Sequence, residues 1–363
     1  MSHGADPAAG RDRAQIAERD ILRHAPLNAE TPKVAFASAT THRDAHFIRT
    51  NFGVPDARPT RLAVGGAVDR PAELTIGDLE GMGSTTRRVT LECAGNGRLG
   101  MRPLPTGEPW QQRAVGTAEW TGLPLSELVR RVGLQAHAVE LVFEGADHGP
   151  RAGQETPFRR SLPVDQAVLD VALLAWDMNG ERLPEDHGAP LRLVVPGWYG
   201  MASVKWLHRI EAVTKPFEGP FQMTSYVYET IDGEREPVRW MRPKSLLVAP
   251  DPEVILEPGS PVEVWGWAWS GGSPIAAVDI TVDDEPWLPA TVEPADGSGA
   301  WQRWSFPWVP RRPGRHVLAS RATDAVGRSQ PDEATWNRLG YGNNAVVRTV
   351  VSVGRGPGGP ATG

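Results

Sequence analysis

The sequence predicts a mixed α+β domain followed by an all-β sandwich of immunoglobulin type. Three observations predict it. At 363 residues the chain is long enough for about two domains, each able to bury a core of its own. Before about residue 240, helix-period and strand-period segments alternate. After about residue 243 helical periodicity stops, and short apolar runs are separated by Gly, Pro and Asp turns.

Taken in order, residues 1–28 are polar and are expected to be disordered, with the α+β domain over residues 29–240. Leu125, Leu128, Val129 and Val132 recur at i, i+3, i+4 and i+7, an amphipathic helix that Gly133 ends. Val139 to Phe143 and Leu191 to Val195 are apolar runs that suit buried strands. Leu173 to Met178, then Asn179-Gly180, then Glu181 to Leu183 reads as a β-hairpin closed by an Asn-Gly turn. Ser203 to Val213 reads as one more strand. The sandwich is expected over residues 241–353, with strands at Val262 to Trp269, Ala277 to Val282, Trp301 to Trp308, His316 to Thr323 and Ala345 to Val353. Eight of the fourteen tryptophans fall here, at 265, 267, 269, 287, 301, 304, 308 and 336. Several suit the core, and the row Trp265, Trp267, Trp269 on one strand face also suits a subunit interface. Residues 354–363 are rich in Gly and Pro and are expected to be a disordered tail.

Charge excludes some functions. The formal net charge is −6, which argues against nucleic acid as a partner. Lysine occurs only at 33, 205, 215 and 244, so nearly all positive charge is arginine, the better residue for two-pronged binding of oxyanions. The first residues lack the apolar core of a secretory signal, and Asp12 separates Arg11 from Arg13, so no twin-arginine pair stands there. Val168 to Trp176, the longest apolar run, is interrupted by Asp170 and is far short of a membrane span. A cytoplasmic protein with no membrane partner is the expectation. Phosphate-loop, His-Glu-x-x-His, Cys-x-x-Cys-His and Gly-x-Ser-x-Gly patterns are absent from the sequence. His42, Asp44 and His46 are close enough to hold a metal, but such a cluster reads first as a solvated face.

The one cysteine, Cys93, stands where the strand-like run Arg87 to Glu92 breaks into the turn Ala94-Gly95-Asn96-Gly97-Arg98. A lone thiol forms no intramolecular disulfide and no Cys-x-x-Cys pair. It is either a small core residue or the single soft ligand of a metal held mainly by other groups. Arg98 at the end of the turn favours a thiolate and attracts an anion.

Five stretches resemble the sulfite oxidase family of molybdopterin enzymes, in the family's order and with similar spacing. They are Phe47 to Pro55, Thr90 to Arg98, Leu173 to Gly180, Asp186 to Gly197 and Ser203 to Leu207. Val264 to Gly272 looks like the opening of that family's dimerisation domain, and Pro331 to Asn337 with Gly342-Asn343-Asn344 extend the match, so that it covers about residues 35–352. The resemblance implies a molybdopterin-binding domain of sulfite oxidase type and a molybdenum–molybdopterin cofactor. Cys93 then corresponds to the thiolate ligand of molybdenum. Arg49 and Arg98 match arginines of the oxyanion pocket and Trp120 an aromatic wall of it. Phe47, Ile48, Arg49, Thr50, Asn51, Asp147, His187, Arg192, Ser203, Val204 and Lys205 match positions that hold the pterin and its phosphate.

The chain departs from the family in three places. Phe158, before Ser161-Leu162-Pro163, stands where the family has an active-site tyrosine. Asn51 replaces a histidine beside the pterin. An arginine that the family sends from its second domain toward the pocket aligns with Gln302 or with its neighbour Arg303. The resemblance implies an oxygen-atom-transfer enzyme, with sulfite oxidised to sulfate as the leading activity. A haem ligand pair is absent from the sequence, so a cytochrome or oxygen is expected as a separate electron acceptor and a homodimer through the second domain as the assembly. A different small oxo substrate is the alternative within the same chemistry. A cofactor-free binding protein is the alternative outside it.

Overall fold

The computed structural model describes residues 19–354 apart from 152 and 298. The expected disorder of residues 1–18 and 355–363 lies outside the described residues. The chain forms two compact units that interleave in sequence. The first comprises residues 19–86, 113–194 and 204–217, the second residues 87–112, 195–203 and 218–354. The turn after Cys93 thus groups with the later part of the chain.

In the first unit a five-stranded sheet runs in the order Ala72–Leu74, Leu62–Gly66, Leu207–Val213, Glu140–Arg151, Gln154–Pro163. Its one parallel pair is Leu207–Val213 with Leu62–Gly66. A second sheet pairs Leu173–Met178 with Val115–Pro124, Glu181–Arg182 and Arg192–Val194. The hairpin forms at the expected place: Asn179 and Gly180 have φ of 54° and 77°, the left-handed values a two-residue primed turn demands. The helix Leu125–Val132 also forms as periodicity predicts. It buries Leu125, Leu128 and Val132, and Gly133 ends it at φ 70°.

Two expectations are corrected here. Residues 19–28 are ordered: Asp20–His24 and Leu27–Glu30 form a hairpin, and Leu27–Glu30 pairs in turn with Ile48–Arg49. The last expected strand of this unit starts later, at Leu207, because Trp206 turns the chain at φ 48°. A bulky residue rarely adopts that conformation. It is held there by the indole N–H of Trp206 donating to the Glu185 carbonyl at 2.8 Å.

The second unit carries the β sandwich. One sheet has the order Lys244–Ala249, Val262–Trp269, Gln302–Trp308, Thr291–Val292, and the other Ile255–Leu256, Arg348–Val353, Gly314–Asp324, Ile275–Val282, Leu288–Pro289. The period of two on Val262–Trp269 sends Val264 and Ala268 into the core with Ile275, Val278, Ile280, Trp304, Leu318, Ala322 and Val351. Trp265, Trp267 and Trp269 therefore share the opposite face. That face is not left open for a partner as the sequence suggested. Trp267 and Trp269 are buried, Trp267 stacks on Trp301 at 5.1 Å between centroids, and Trp265 lies under the Arg303 guanidinium. No helix among the described residues is long and apolar enough to cross a membrane.

Candidate functional site

The first unit gathers four cations, of which Arg192 is buried and Arg19, Arg49 and Lys205 are partly buried. Arg192, on the short strand Arg192–Val194, is buried and lies over the Trp120 ring at 4.7 Å. Its Nη1 donates to the His187 carbonyl at 2.8 Å, and burial pulls its pKa down to about 9. The Lys205 ammonium donates to the Asp186 carbonyl at 2.8 Å and sits 4.4 Å from the Trp206 ring centroid. Burial lowers its pKa, and the like charges of Arg192 and Arg49 lower it further, against the raising effect of Asp147 and Asp186. Arg19 pairs with Asp186 at 3.2 Å and reaches His187 Nε2 at 3.3 Å.

Two buried imidazoles complete this cluster. His46 and His187 stand edge to face at 5.3 Å, and Phe47 stacks on His46 at 5.0 Å. Burial holds His46 at a pKa of about 3 and His187 well below the ordinary value, so both are neutral at pH 7. Arg49 is anchored by carbonyl and amide oxygens: Nη1 donates to the Thr50 carbonyl and to Asn28 Oδ1, and Nη2 to Asn51 Oδ1 at 2.8 Å. Asn28 Oδ1 also accepts the Thr50 N–H at 3.0 Å, and Thr50 Oγ1 donates to the Leu27 carbonyl at 2.8 Å.

The electrostatics ask for an anion. Burial disfavours the charged forms of Arg19, Arg192 and Lys205, and the Arg192 and Arg49 cations lower Lys205 further. Asp147 is the exception. Burial raises its pKa, and its Oδ1 has no hydrogen-bond partner in the structure, so it is ready to accept from a ring N–H. Phosphate oxygens suit the cations, and a pterin edge suits Asp147. The residues present fit a phosphorylated pterin.

The second unit holds Cys93. The strand Thr85–Glu92 delivers it, buried, to a turn closed by Asn96 N–H donating to the Cys93 carbonyl at 2.9 Å. Beneath the turn lies a buried ion pair, Glu92 with Lys244 at 3.3 Å. Glu92 also accepts from Asn96 Nδ2 and from the Trp269 indole, each at 2.9 Å. The guanidinium of Arg98 lies flat against Gly95. A Cβ on Gly95 would come within 2.6 Å of it, so a larger residue there would displace the arginine. Arg98 Nε donates to the Leu339 carbonyl at 3.0 Å and Nη1 to the Glu108 carbonyl at 2.7 Å. Cys93 is a buried thiol at a turn braced by these contacts, an arrangement that suits a single soft metal ligand.

The remaining expected residues divide clearly. Phe47, Ile48, Thr50, Asn51, Asp147, His187, Arg192 and Lys205 all belong to the first unit, with Arg49, Trp120 and Phe158. Trp120 is buried within the cationic cluster, 6.1 Å edge-on from His46. Phe158 is buried on Gln154–Pro163 and brings no polar atom. Of the run Ser203-Val204-Lys205, only Lys205 offers a charged side chain. Ser203 Oγ accepts the Val195 N–H at 3.1 Å, and the Val204 carbonyl accepts the Leu193 N–H at 2.8 Å, so both serve the backbone. Neither Gln302 nor Arg303 is free to reach out. Gln302 bonds both the N–H and the carbonyl of Ile275, and Arg303 pairs with Glu263 at 3.0 Å.

Sequence reasoning missed four participants. Arg19 and Asn28 lay in the segment read as disordered. His46 was read as part of a solvated face, yet it is buried while His42 and Asp44 remain half exposed. Its signal was its place directly before the Phe47 to Asn51 stretch. Trp110 is fully buried in the second unit, where Leu99 N–H donates to its carbonyl at 3.1 Å and its own indole N–H has no partner in the structure. An orphaned buried donor on the Arg98 loop is a candidate ligand for an anion.

Comparisons with known proteins agree with this chemistry. Residues 51–221 match the oxidoreductase molybdopterin-binding domain, and residues 235–354 the Mo-co oxidoreductase dimerisation domain. Chicken (Gallus gallus) sulfite oxidase is 32% identical over 346 residues, covering 87% of this chain and 74% of that protein. Human (Homo sapiens) mitochondrial sulfite oxidase is 32% identical over 355 residues, covering 90% of this chain and 64% of that one. A birch (Betula pendula) nitrate reductase is 31% identical over 371 residues, but the match spans only 41% of its length. The crystal structure of the sulfane dehydrogenase SoxCD from Paracoccus pantotrophus superposes with a TM-score of 0.82 at 27% identity, covering 98% of this chain and 96% of that one. The fold and site thus define a molybdopterin oxidoreductase. The chain belongs to the sulfite oxidase family, with that family's molybdenum–pterin cofactor and a C-terminal dimerisation domain. It spans about two thirds of the length of the mitochondrial sulfite oxidases.

Proposed function

We propose that the chain catalyses oxygen-atom transfer to a small anionic sulfur substrate, with sulfite giving sulfate as the leading case. The observation that carries this reading is Cys93, the one cysteine, buried at a turn that a buried ion pair and a flat-lying arginine hold in place. The bound molybdenum–pterin group supplies the two-electron redox centre of the reaction. Cys93 Sγ is the protein's ligand to it. Arg19, Arg192 and Lys205 hold its phosphate, and Asp147 Oδ1 accepts from the ring. His187 and His46, both neutral, fill space among the cations without adding to their repulsion. Arg98 and Arg49 bind the anionic substrate, each with its orientation set by carbonyl or amide acceptors, so little reorganisation accompanies binding. The dimerisation domain supports a homodimer, and a cytochrome or oxygen takes the electrons.

The test is molybdenum content of the purified protein, measured by mass spectrometry beside Cys93→Ser. About one molybdenum per chain, lost in the variant, is expected. A wild-type protein free of molybdenum from a host that makes the cofactor overturns the reading. Phe158 and the likeness to a sulfane dehydrogenase favour a second reading, a sulfur substrate other than sulfite. Phe158→Tyr separates the two. A sulfite enzyme keeps or gains sulfite turnover when the phenol is restored, whereas an enzyme for another substrate loses activity on that substrate.

A further inference from the structure

Four backbone and side-chain contacts converge on the Cys93–Arg98 turn from one distant segment, Asn337 to Asn344. Leu339 offers its carbonyl to Arg98 Nε at 3.0 Å, and the Tyr341 ring lies 5.3 Å from the Arg98 guanidinium carbon. Gly342 N–H donates to the Ala94 carbonyl at 2.8 Å, and Asn343 Nδ2 donates to the Gly97 carbonyl at 2.7 Å. The Asn343 carbonyl in turn accepts from Lys244 Nζ at 3.0 Å, which ties the segment to the Glu92 ion pair. The segment is itself braced. Asn337 bonds both the N–H and the carbonyl of Tyr341, and Tyr341 stacks on Tyr226 at 5.4 Å. Gly340, at φ +64°, leaves room for Arg98 where a Cβ would come within 2.9 Å of the arginine side chain.

We propose that this segment is a positioning clamp: Asn343 sets the geometry of the turn that presents Cys93, and Tyr341 sets the orientation of Arg98. Side chains behind a metal ligand orient it and tune the metal, and their loss typically changes affinity or activity about 10–100-fold. Tyr341 contributes through the face of its ring, which attracts the Arg98 cation, so the hydroxyl is not needed. The Asn343 amide acts by donation to Gly97, so a side chain without a donor releases the turn. The Tyr341 half of the proposal rests on the reading of Arg98 as an anion ligand. The Asn343 half does not.

The experiment uses the full-length holoprotein with four variants. Asn343→Ala is expected to shift the g values of the Mo(V) electron paramagnetic resonance signal while molybdenum content stays near wild type. Tyr341→Leu is expected to raise the KM for sulfite about tenfold with kcat held within about twofold, and Tyr341→Phe to keep the wild-type KM. Arg98→Gln is the reference. An unchanged signal in Asn343→Ala overturns the clamp. So does a wild-type KM in Tyr341→Leu when Arg98→Gln raises it. A wild-type KM in Arg98→Gln refutes the anion-binding reading instead, and the resonance signal then decides the clamp alone. If Asn343→Ala does not accumulate with metal, the resonance measurement is made on Asn343→Asp, which keeps the shape and loses the donor to Gly97, and an unmoved signal there also overturns the clamp.

Discussion

Lys244→Met should be among the most damaging single substitutions in the second unit. Lys244 and Glu92 are both nearly inaccessible, with side chains 2% and 1% exposed. Removing the lysine leaves a buried carboxylate facing two neutral donors, Asn96 Nδ2 and the Trp269 indole. Breaking a buried pair on one side typically costs about 3–5 kcal/mol, because the remaining charge is uncompensated. Loss of the hydrogen bonds to the Asn96 and Asn343 carbonyls adds to that. For units of this size 1 kcal/mol moves the melting point by about 2–4 °C, so a fall on the order of 10 °C is expected. The double variant Glu92→Gln with Lys244→Met removes both charges and should be no less stable than Lys244→Met alone. That outcome is a coupling at least as large as the cost of Glu92→Gln alone in a double-mutant cycle. The assay is urea unfolding followed by tryptophan fluorescence, comparing midpoints at constant slope. A loss under about 1 kcal/mol for Lys244→Met, or strictly additive single costs, refutes the reasoning.

Acid should destabilise the first unit through its imidazoles. With His46 held near a pKa of 3, its contribution is whole above pH 6.5 and is lost as pH falls from 6.5 toward 3, at about 1.4 kcal/mol per pH unit. His46→Gln should flatten the stability profile between pH 6.5 and 4.5 by that slope, and an unaltered profile would remove His46 from the account. Inorganic phosphate should raise the melting temperature of cofactor-free protein at pH 7, since an anion restores the ionisation that burial disfavours at Lys205. Lys205→Met should show a smaller rise, and an equal rise in both proteins would place the phosphate elsewhere.

What the sequence made legible, and what it hid, follows from the range of the interactions. The helix Leu125–Val132, the Asn179-Gly180 hairpin and the strand Val262–Trp269 are written in local periodicity and turn chemistry, and each formed where those predict. Cys93 and the flanking Gly95 and Arg98 were readable because the turn that presents the thiol is itself local. Burial was not readable. His46 looks like a surface histidine beside His42 and Asp44 until the Phe47 and His187 rings enclose it, and Arg19 looks like part of a charged terminus until Asp186 meets it. Lys244 lies 152 positions from Glu92, and Tyr341 lies still further along the chain from Arg98. No periodicity records such a pairing. Its only trace in the sequence is the mismatch of a lysine at the head of an apolar strand, Lys-Ser-Leu-Leu-Val-Ala, where a buried charge must have a partner from elsewhere in the chain. The local turn therefore points to the proposed ligand, while residues from the far end of the chain brace it. For this reason substitutions at Lys244, Tyr341 and Asn343 test the site as directly as changes beside Cys93.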